Sequence, residues 1–565
     1  MLLKNRGFAL IAAIILIVVA AAMAVVLATL VSSSTQSGAL HISSAQALFI
    51  AESGLERAIR QRSMDNTYVG EGPVAMGQGS YTITVFNTDF SGALLPSGQR
   101  RLRSVGTIGN ETRTVEAIVR TGVAMMVYAK DSPGGSRGIP YFRQWDNDTY
   151  AWGAEGQAND VGPIIRYLVL KFARTRNEAI LGTMNSSGQI HVQVWNGTAW
   201  GAIRLLSTVN AANLQYRGFD IEYETNGDRA VVVFNDANGR NPGFQIWNGT
   251  AWTATVGLDT ELGANYNTTS VNAPLWVELA PNPLGNSNEI VLLTLDAGSD
   301  IYGVRWNGTA WVRMSAATGS WDTAASTSAR KAMDVAYEQL TGRAMFIWGN
   351  DADGEQLWRT WDGSINTLSG INTLTINAMN NQANWVRLVP RLNSNELMYV
   401  VQDDGRDLNT ALWDGAAFNV HAEHDSSTEN VQSMSFDFVF ETHPARIGQG
   451  WLVWGTSPTG ADQIQPRRWN GAGWDALSPK VGDDTSFIRM AAHPSSGAIF
   501  AGTYERQGSG GADDIFEMHQ TGGSGTWTAL VSVWPGPTIA DPVHQRIDIA
   551  PERRTPVIAW REVFP

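Results

Sequence analysis

A short motif with a tryptophan at each end recurs through most of this 565-residue chain, and it constrains the fold more than any other feature. The sequence Trp-Asn-Gly-Thr-Ala-Trp occupies residues 195–200, 247–252 and 306–311. Degenerate copies begin at Trp145, Trp361, Trp413 and Trp469, and a last one surrounds Trp527. A period of about 50 residues is typical of repeat architectures. Because Asn-Gly between alternating apolar runs is a hairpin signal, each copy predicts a turn between two antiparallel strands whose tryptophans face neighbouring strands.

Two further apolar runs precede each turn, for example Trp276–Pro281 and Ile290–Leu293 before the copy at 306–311. Each unit therefore has four predicted strands, which is the pattern of a β-propeller blade, whereas β-helices and leucine-rich solenoids have shorter repeats. We predict a propeller over residues 123–565 with eight blades; seven blades is the alternative. The closing blade is expected to combine Arg546–Pro551 and Pro556–Trp560 with the turn near Tyr141–Trp152, so that both ends of the repeat region close the ring.

None of the 22 tryptophans precedes Trp145, so the chain is a composite of two different parts. The absence of cysteine excludes a disulfide scaffold, a zinc finger, an iron–sulfur site and a cysteine nucleophile. The formal charge of −13 argues against a nucleic-acid partner, because binding phosphate requires a basic face.

The first part opens with a long uncharged segment, Phe8–Val31. At about 1.5 Å per residue, a helix of this length crosses a bilayer core of about 30 Å. Lys4 and Arg6 precede it, which places the N-terminus in the cytoplasm. Apolar residues then recur at the three- and four-residue spacing of one helix face, at Leu48, Ala51, Leu55, Ala58 and Ile59. We predict one helix over residues 8–62 with a transmembrane segment at 8–31.

These residues resemble the N-terminal region of type IV pilins and pseudopilins. Basic residues, then Gly7, then Phe8 opening an apolar helix are similar to a class III leader peptide, here residues 1–7. The stretch 51–58, Ala-Glu-Ser-Gly-Leu-Glu-Arg-Ala, resembles the "A-x-x-G-L-E-x-A" segment of PilX-like minor pilins. The resemblance implies cleavage by prepilin peptidase between Gly7 and Phe8 and methylation of the new amine of Phe8. Most pilins have a glutamate at the position that Ala12 occupies here, and its absence favours a minor subunit over a major one.

Residues 63–122 predict a small β-sheet of the kind that follows the helix in pilins. Gly79–Val85 alternates in the manner of a strand, and two further alternating runs flank the turn signal Gly109-Asn110. A long helix followed by three or more short strands is the layout of a small pilin headgroup.

No catalytic motif stands out, and we predict that the chain is not an enzyme. No zinc-protease motif, nucleophile elbow, phosphate loop or dinucleotide fingerprint is present in the sequence. Asp351, Asp353 and Glu355 are weak candidates for a calcium site through oxygen ligands. A recurring hairpin turn explains them better, because no glutamate follows at the twelfth position of an EF-hand loop. We therefore expect no cofactor and no metal.

The sequence as a whole predicts a minor pilin or pseudopilin that displays a propeller for adhesion or binding, at the tip of a type IV pilus or a related secretion filament. Its expected partners are other pilins, through the helix, prepilin peptidase and a surface ligand of unknown kind. The precursor is expected in the inner membrane, and the mature protein in a pilus, at the cell surface or in the periplasm. Two alternatives stay open: a membrane-anchored propeller hydrolase or lyase, and a static anchored binding scaffold.

Overall fold

The chain divides into two compact units, the first formed by Met1–Thr121 with Val557–Pro565 and the second by Gly122–Pro556. The computed structural model describes residues 6–65, 67–95, 98–120, 124–130, 137–146, 149–235, 241–263, 266, 272–314, 319–326, 330–429, 433–456, 463–482, 485–494, 496–504, 514–521, 524–535, 545–552 and 557–563.

The first unit begins with the helix α1 (Arg6–Met64), and four antiparallel strands follow it in the sequence. These strands are β1 (Gly70–Met76), β2 (Gly79–Phe86), β3 (Gln99–Ile108) and β4 (Glu111–Arg120). The predicted turn at Gly109-Asn110 joins β3 to β4, with Gly109 at a φ of 56°. The long helix and the strand predicted at Gly79 are therefore confirmed.

The two halves of α1 have different surroundings. In the described part of the first half, the apolar side chains from Ile11 to Val31 are exposed. Among the described residues, α1 is the one helix long and apolar enough to cross a membrane. In the second half, Ala51, Leu55 and Ala58 are buried against β2, β3 and β4. The change from exposed to packed follows the change from a wholly apolar sequence to one with a single apolar face.

The second unit is a β-propeller. Its described residues form eight antiparallel sheets of four or five strands. The N-terminal strands of this unit are β5 (Ala124–Ala129), β6 (Pro140–Asp146), β7 (Ala151–Trp152) and β8 (Gly156–Gln157). Sheet 1 contains β9 (Ile165–Phe172), β10 (Ala179–Asn185), β11 (Gln189–Trp195) and β12 (Arg204–Thr208). Sheet 2 contains β13 (Phe219–Tyr223), β14 (Ala230–Phe234), β15 (Gly243–Trp247) and β16 (Val256–Gly257), and the short helix α2 (Leu258–Leu262) follows it.

Sheets 3 to 8 repeat this order. Sheet 3 contains β17 (Pro274–Pro281), β18 (Ile290–Asp296), β19 (Ile301–Trp306) and β20 (Trp311–Arg313). Sheet 4 contains β21 (Met333–Tyr337), β22 (Arg343–Gly349), β23 (Glu355–Asp362), β24 (Thr367–Leu368) and β25 (Asn372–Thr375). Sheet 5 contains β26 (Ala383–Pro390), β27 (Leu397–Asp403), β28 (Leu408–Trp413) and β29 (Phe418–Asp425). Sheet 6 contains β30 (Phe436–Phe440), β31 (Gly450–Gly455), β32 (Ile464–Trp469) and β33 (Trp474–Leu477). Sheet 7 contains β34 (Phe487–Ala492), β35 (Ile499–Tyr504), β36 (Asp514–Gln520) and β37 (Val531–Pro535). Sheet 8 contains β38 (Ile547–Pro551) with β5 to β8.

We call β9, β13, β17, β21, β26, β30, β34 and β38 the inner strands. Each inner strand packs against the inner strand of the next sheet, and β38 packs against both β34 and β9. Sheet 8 joins a strand from the end of this unit to strands from its beginning, because β38 pairs with β5. The expectation that Arg546–Pro551 helps to close the repeat is therefore confirmed.

The same expectation was wrong for Pro556–Trp560. The strand β39 (Val557–Val563) pairs with β4 and becomes the fifth strand of the first unit's sheet. The second strand of sheet 8 is instead β5. The chain therefore passes from the first unit to the second after Thr121, and returns after Pro556.

The tryptophan motifs form the turns between the third and fourth strands, as predicted. The two tryptophans of a motif pair across the turn, for example Trp306 with Trp311. Within the turn the glycine has a positive φ, 94° at Gly308, and the asparagine does not. Asn307 instead accepts hydrogen bonds through Oδ1 from the backbone N–H groups of Thr309 and Ala310, both 2.9 Å. The Asn-Gly pair thus stabilises a four-residue loop.

Candidate functional site

The predicted processing residues lie at the start of α1. Arg6, Gly7 and Phe8 belong to its first turns, where the backbone is helical. Lys4 lies outside the described residues. The exposed apolar segment begins directly after this point, so the residues that resemble a leader and its cleavage site are continuous with the membrane-length helix.

The weak calcium candidates lie in and directly after the turn between β22 and β23. Asp351 and Asp353 are exposed, and Glu355 accepts a 2.9 Å hydrogen bond from Nδ2 of Asn350. Asp353 lines a pocket of about 310 Å³ together with Asp404 and Arg330. Across the described parts of the chain, no group of three or more histidine, aspartate or glutamate side chains is arranged to hold a metal ion. The structure thus places Asp351 and Asp353 in a hairpin turn and Glu355 at the start of β23.

A cavity of about 570 Å³ lies inside the ring of inner strands. Strand residues from seven of the eight sheets line it, together with Met434, which lies just before β30 of sheet 6. Proline and aliphatic side chains, such as Pro281, Val389 and Pro551, alternate in its wall with charged side chains. A concave site of this size, with a few polar groups that converge on it, is the usual form of a ligand pocket. We call it the central cavity.

Every second inner strand has an aspartate in its second position. Through Oδ2, each aspartate accepts a hydrogen bond from a backbone N–H of the inner strand in the following sheet. The four pairs, 2.7 to 2.9 Å long, are Leu279 to Asp220, Leu388 to Asp334, Met490 to Asp437 and Leu170 to Asp548. The structural repeat of the ring is therefore two sheets, although the tryptophan turn recurs in every sheet.

Arginines from the intervening inner strands complete these contacts in half of the ring. Nε of Arg387 in sheet 5 donates to Oδ1 of Asp437 at 2.9 Å, and Nε of Arg489 in sheet 7 donates to Oδ1 of Asp548 at 2.8 Å. Both aspartates are buried, so the arginines neutralise charge that burial would otherwise make costly.

Sheet 3 has Glu278 in the position of these arginines, and the charge pattern around it is inverted. Arg217, two residues before β13, donates to Glu278, and Nζ of Lys331, two residues before β21, lies 3.3 Å from its carboxylate. Lys331 also lies 3.4 Å from Oδ1 of Asp334. Burial alone would raise the pKa of Glu278, but Arg217 and Lys331 lower it to about 2, so this glutamate is ionised.

The ring tryptophans are fixed by a second recurring arrangement outside the cavity. Nε1 of Trp413 in sheet 5 donates to Glu338 of sheet 4 at 2.8 Å, and Arg343 lies over the same indole and donates to the same carboxylate. Trp306 bonds to Glu224 at 2.7 Å in the same way. Trp306 and Trp413 are buried, so their ring faces and N–H groups join neighbouring sheets and are not available to a ligand.

The sequence analysis did not identify the charged residues of the inner strands, of which Asp220 and Asp334 line the central cavity. A signal for them exists, because Phe-Asp-Ile at 219–221, Met-Asp-Val at 333–335, Phe-Asp-Phe at 436–438 and Ile-Asp-Ile at 547–549 each place an aspartate inside an apolar run. Comparing every second unit reveals this pattern, whereas comparing adjacent units hides it.

No family model matches the chain, and no curated protein matches it. Among solved structures, the BP39L lectin from Burkholderia pseudomallei is similar with a TM-score of 0.44 and 10% identity, over 65% of this chain and 99% of the lectin. The dihydro-heme d1 dehydrogenase NirN is similar with a TM-score of 0.43 and 8% identity, over 76% of this chain and 75% of that one. The Aleuria aurantia lectin has a TM-score of 0.30 and 12% identity, over 58% of this chain and 94% of the lectin. Similarity at this level supports no conclusion about a ligand or an activity.

Proposed function

We propose that this chain is a minor pilin-like subunit, held by α1 in a membrane and then in a filament, which displays an eight-bladed propeller for binding. The observation that carries the proposal is the division of α1 into an exposed apolar half and a half packed on a small antiparallel sheet. An apolar helix that leaves its first half uncovered needs a membrane or other apolar helices around it.

The contact between helix and sheet supports the resemblance to PilX-like minor pilins. The small residues of the stretch 51–58 are the ones that allow close approach: a Cβ on Gly54 would lie 2.4 Å from Oγ of Ser104 and 2.9 Å from the ring of Tyr81. A Cβ on Gly106 of β3 would lie 2.2 Å from the carbonyl oxygen of Ala47. Glu56 is exposed on the other side of the helix. The small residues of this motif therefore allow the helix to pack closely against the sheet in this protein.

The propeller provides the binding surface in this proposal. The eight sheets are its blades, and the central cavity is the concave site that such a ring offers. The second unit spans residues 122–556, too large to fit beside every subunit of a thin helical filament. A rare position, at the tip, follows from that size. The precursor would reside in the inner membrane with its N-terminus in the cytoplasm, and the mature chain in the filament at the cell surface.

The test is the N-terminus of the mature protein, determined by mass spectrometry on sheared filaments. The proposal expects a chain that begins at Phe8 with one methyl group on its amine. Gly7→Val should block this cleavage, because the side chain obstructs the peptide bond that a peptidase must approach. Gly38→Ala is the matched control, because Gly38 lies in the same helix with open space around it, and cleavage should be unchanged. Retention of Met1, cleavage elsewhere or absence from filaments would contradict the proposal and favour a static anchored scaffold.

A further inference from the structure

The described wall of the central cavity carries more positive than negative charge. Six cationic side chains line it, against four carboxylates. The cations are Lys171, Arg174, Arg217, Lys331, Arg387 and Arg489, and the carboxylates are Asp220, Glu222, Glu278 and Asp334. All four carboxylates belong to sheets 2, 3 and 4, where Arg217 and Lys331 pair with them. The excess of positive charge therefore lies on the other side of the ring, in sheets 5, 7 and 1.

On that side the cations face the cavity, and their carboxylate partners lie behind them. The side chains of Lys171 and Arg489 are 22% exposed, and that of Arg387 is 18% exposed. Asp437 and Asp548, which pair with the two arginines, are 0% and 6% exposed and are not part of the described wall. A ligand that enters the cavity thus meets guanidinium and ammonium groups on this side, and not carboxylates.

Arg387 and Arg489 flank the same buried carboxylate. Nε of Arg387 donates to Oδ1 of Asp437, and Nη1 of Arg489 lies 3.8 Å from Oδ2 of that residue. The Nη2 group of each arginine has no hydrogen-bond partner among the described residues. The two guanidinium groups therefore lie side by side with N–H groups available for a ligand. Such groups suit a carboxylate, because a guanidinium can donate two parallel hydrogen bonds to it.

The positive charge of this side extends across the cavity to Arg217. Burial lowers the pKa of Arg217, and the carboxylates of Glu278 and Asp220 raise it above its usual value. Arg489 acts in the opposite direction to these carboxylates. Arg489 is thus near enough to repel Arg217, and an anion in the cavity would reduce this repulsion.

Apolar side chains line the cavity beyond the charged residues. Pro281, Pro390 and Pro551 are the last residues of β17, β26 and β38, and each is only partly buried. Each follows a charged residue of its own strand by three positions, which is about 10 Å at about 3.3 Å per residue. We call these three residues the proline collar. A ligand held by the arginines would place its carbon skeleton against the collar, where apolar surface is favourable.

We propose that the central cavity binds a small organic carboxylate with an apolar skeleton. Its carboxylate accepts hydrogen bonds from the guanidinium groups of Arg387 and Arg489, Lys171 adds positive charge on the same side, and its skeleton contacts the proline collar. The cavity, at about 570 Å³, is within the usual size range of pockets for small molecules. This inference deepens the proposed binding role of the propeller and rests on it, but not on entry into a filament.

The test is calorimetric titration of the full chain, in an uncharged detergent, with 3-phenylpropanoate. Its neutral analogue 3-phenylpropanamide has nearly the same shape and lacks the charge, whereas acetate keeps the charge and lacks the apolar skeleton. A charge-assisted hydrogen bond corresponds to about tenfold or more in affinity, and so does the burial of a phenyl group. We therefore expect both control compounds to bind about tenfold or more weakly than 3-phenylpropanoate.

Two variants test the site. Arg387→Gln removes the charge and leaves an amide that can donate to Asp437, so binding of 3-phenylpropanoate should weaken about tenfold or more. Gln339→Glu adds a carboxylate to the cavity wall without a change in volume, so like charges repel and binding should weaken about twofold or more. Arg343→Gln is the matched control, because Arg343 pairs with the buried Glu338 outside the described wall, and binding should be unchanged.

Near-ultraviolet circular dichroism checks the fold of each variant. If Arg387→Gln does not fold, Gln339→Glu decides the matter, since Gln339 is only partly buried and the change keeps its shape. Four results would overturn the inference: no binding of 3-phenylpropanoate, equal binding of the amide, equal binding of acetate, or unchanged binding by the deciding variant. None of them affects cleavage after Gly7. A chain that is processed and found in filaments but does not bind 3-phenylpropanoate would refute this site and leave the filament proposal intact.

Discussion

Replacing Arg561 with alanine tests whether β39 belongs to the sheet of the first unit. Glu116 of β4 has a fully buried side chain, and its Oε2 accepts hydrogen bonds from Nε and Nη2 of Arg561 at 2.9 and 2.6 Å. Arg103 donates to the other oxygen at 2.6 Å. Burial alone would raise the pKa of Glu116, but the hydrogen bonds from Arg561 and Arg103 outweigh it and hold the pKa below its usual value.

The size of the effect follows from these contacts. A hydrogen bond to a charged group contributes about 1.5–3 kcal/mol, and the side chain of Arg561 is 40% exposed, which reduces that value. Arg103 remains beside Glu116 in the variant. We therefore expect a local destabilisation of about 1–2 kcal/mol, which corresponds to amide protection about 5- to 30-fold lower in β4.

Hydrogen exchange measured by mass spectrometry on the full chain gives this readout strand by strand. Loss of protection should appear in β4 and β39, while β5 and β38 keep theirs. The difference between wild type and variant should shrink as the pH falls through the pKa of Glu116, since a carboxyl with a lowered pKa loses its contribution on protonation. Trp560→Ala is the control, because Trp560 is 53% exposed and should change little. Equal effects of both changes, or loss of protection in β5 and β38, would refute the assignment of β39.

Three further predictions concern other parts of the chain. Burial, with Arg467 nearby, lowers the pKa of His424 to about 3. The unfolded chain binds a proton at this histidine below about pH 6.5, so the melting temperature should fall as the pH drops from about 6.5. His424→Gln should make the melting temperature depend less on pH. Glu338→Ala leaves the indole N–H of Trp413 without its acceptor, so about 2–3 kcal/mol of local stability should be lost. The loss should be seen as faster amide hydrogen exchange in β28. Trp348→Phe, in sheet 4, is the comparison variant. Gly54→Ala should destabilise the first unit by about 1–3 kcal/mol, measured by thermal unfolding against Gly38→Ala, because the new methyl group overlaps the side chains below the helix.

Much of the fold could be predicted because its main signals are local. The spacing of the tryptophan turns, the alternation of the strands and the apolar run from Phe8 each depend on residues that are close in sequence. The partner of β39 could not be predicted in this way. Residues 557–563, Val-Ile-Ala-Trp-Arg-Glu-Val, resemble the second strands of sheets 2 and 4, Ala-Val-Val-Val-Phe and Ala-Met-Phe-Ile-Trp. Which strand such a segment pairs with depends on tertiary contacts, here the hydrogen bonds of Arg561 to Glu116.

The candidate site was less predictable for a related reason. The role of an aspartate in an apolar strand cannot be inferred until the position of the neighbouring inner strand is known. The backbone donor on that strand is more than fifty residues away in the sequence. The acidic turn at Asp351 and Asp353 was a candidate calcium site because its carboxylates are close together in the sequence. In the structure this turn is exposed to solvent. Arg387 and Arg489 belong to different sheets, and only the ring brings them to the same cavity.

The two units share a dependence on the same late segment of the chain. In sheets 2 and 4 the inner strand is followed by a tight turn and then by the second strand of the same sheet. In sheet 8 this turn is absent: the inner strand β38 leads to β39 of the first unit, and the second strand β5 arrives from β4. β38 is the inner strand of sheet 8, and β39 is the fifth strand of the first unit's sheet. Both follow the strands of the other seven sheets in the sequence, so they are synthesised last. Pairings over such long sequence separations form slowly, because the entropy of closing the loop opposes them. Neither the ring of inner strands, with Asp548 of β38, nor the ion pairs of the buried Glu116 are then complete until this segment has folded. The folding of the second unit is thereby linked to that of the first through one segment of the chain.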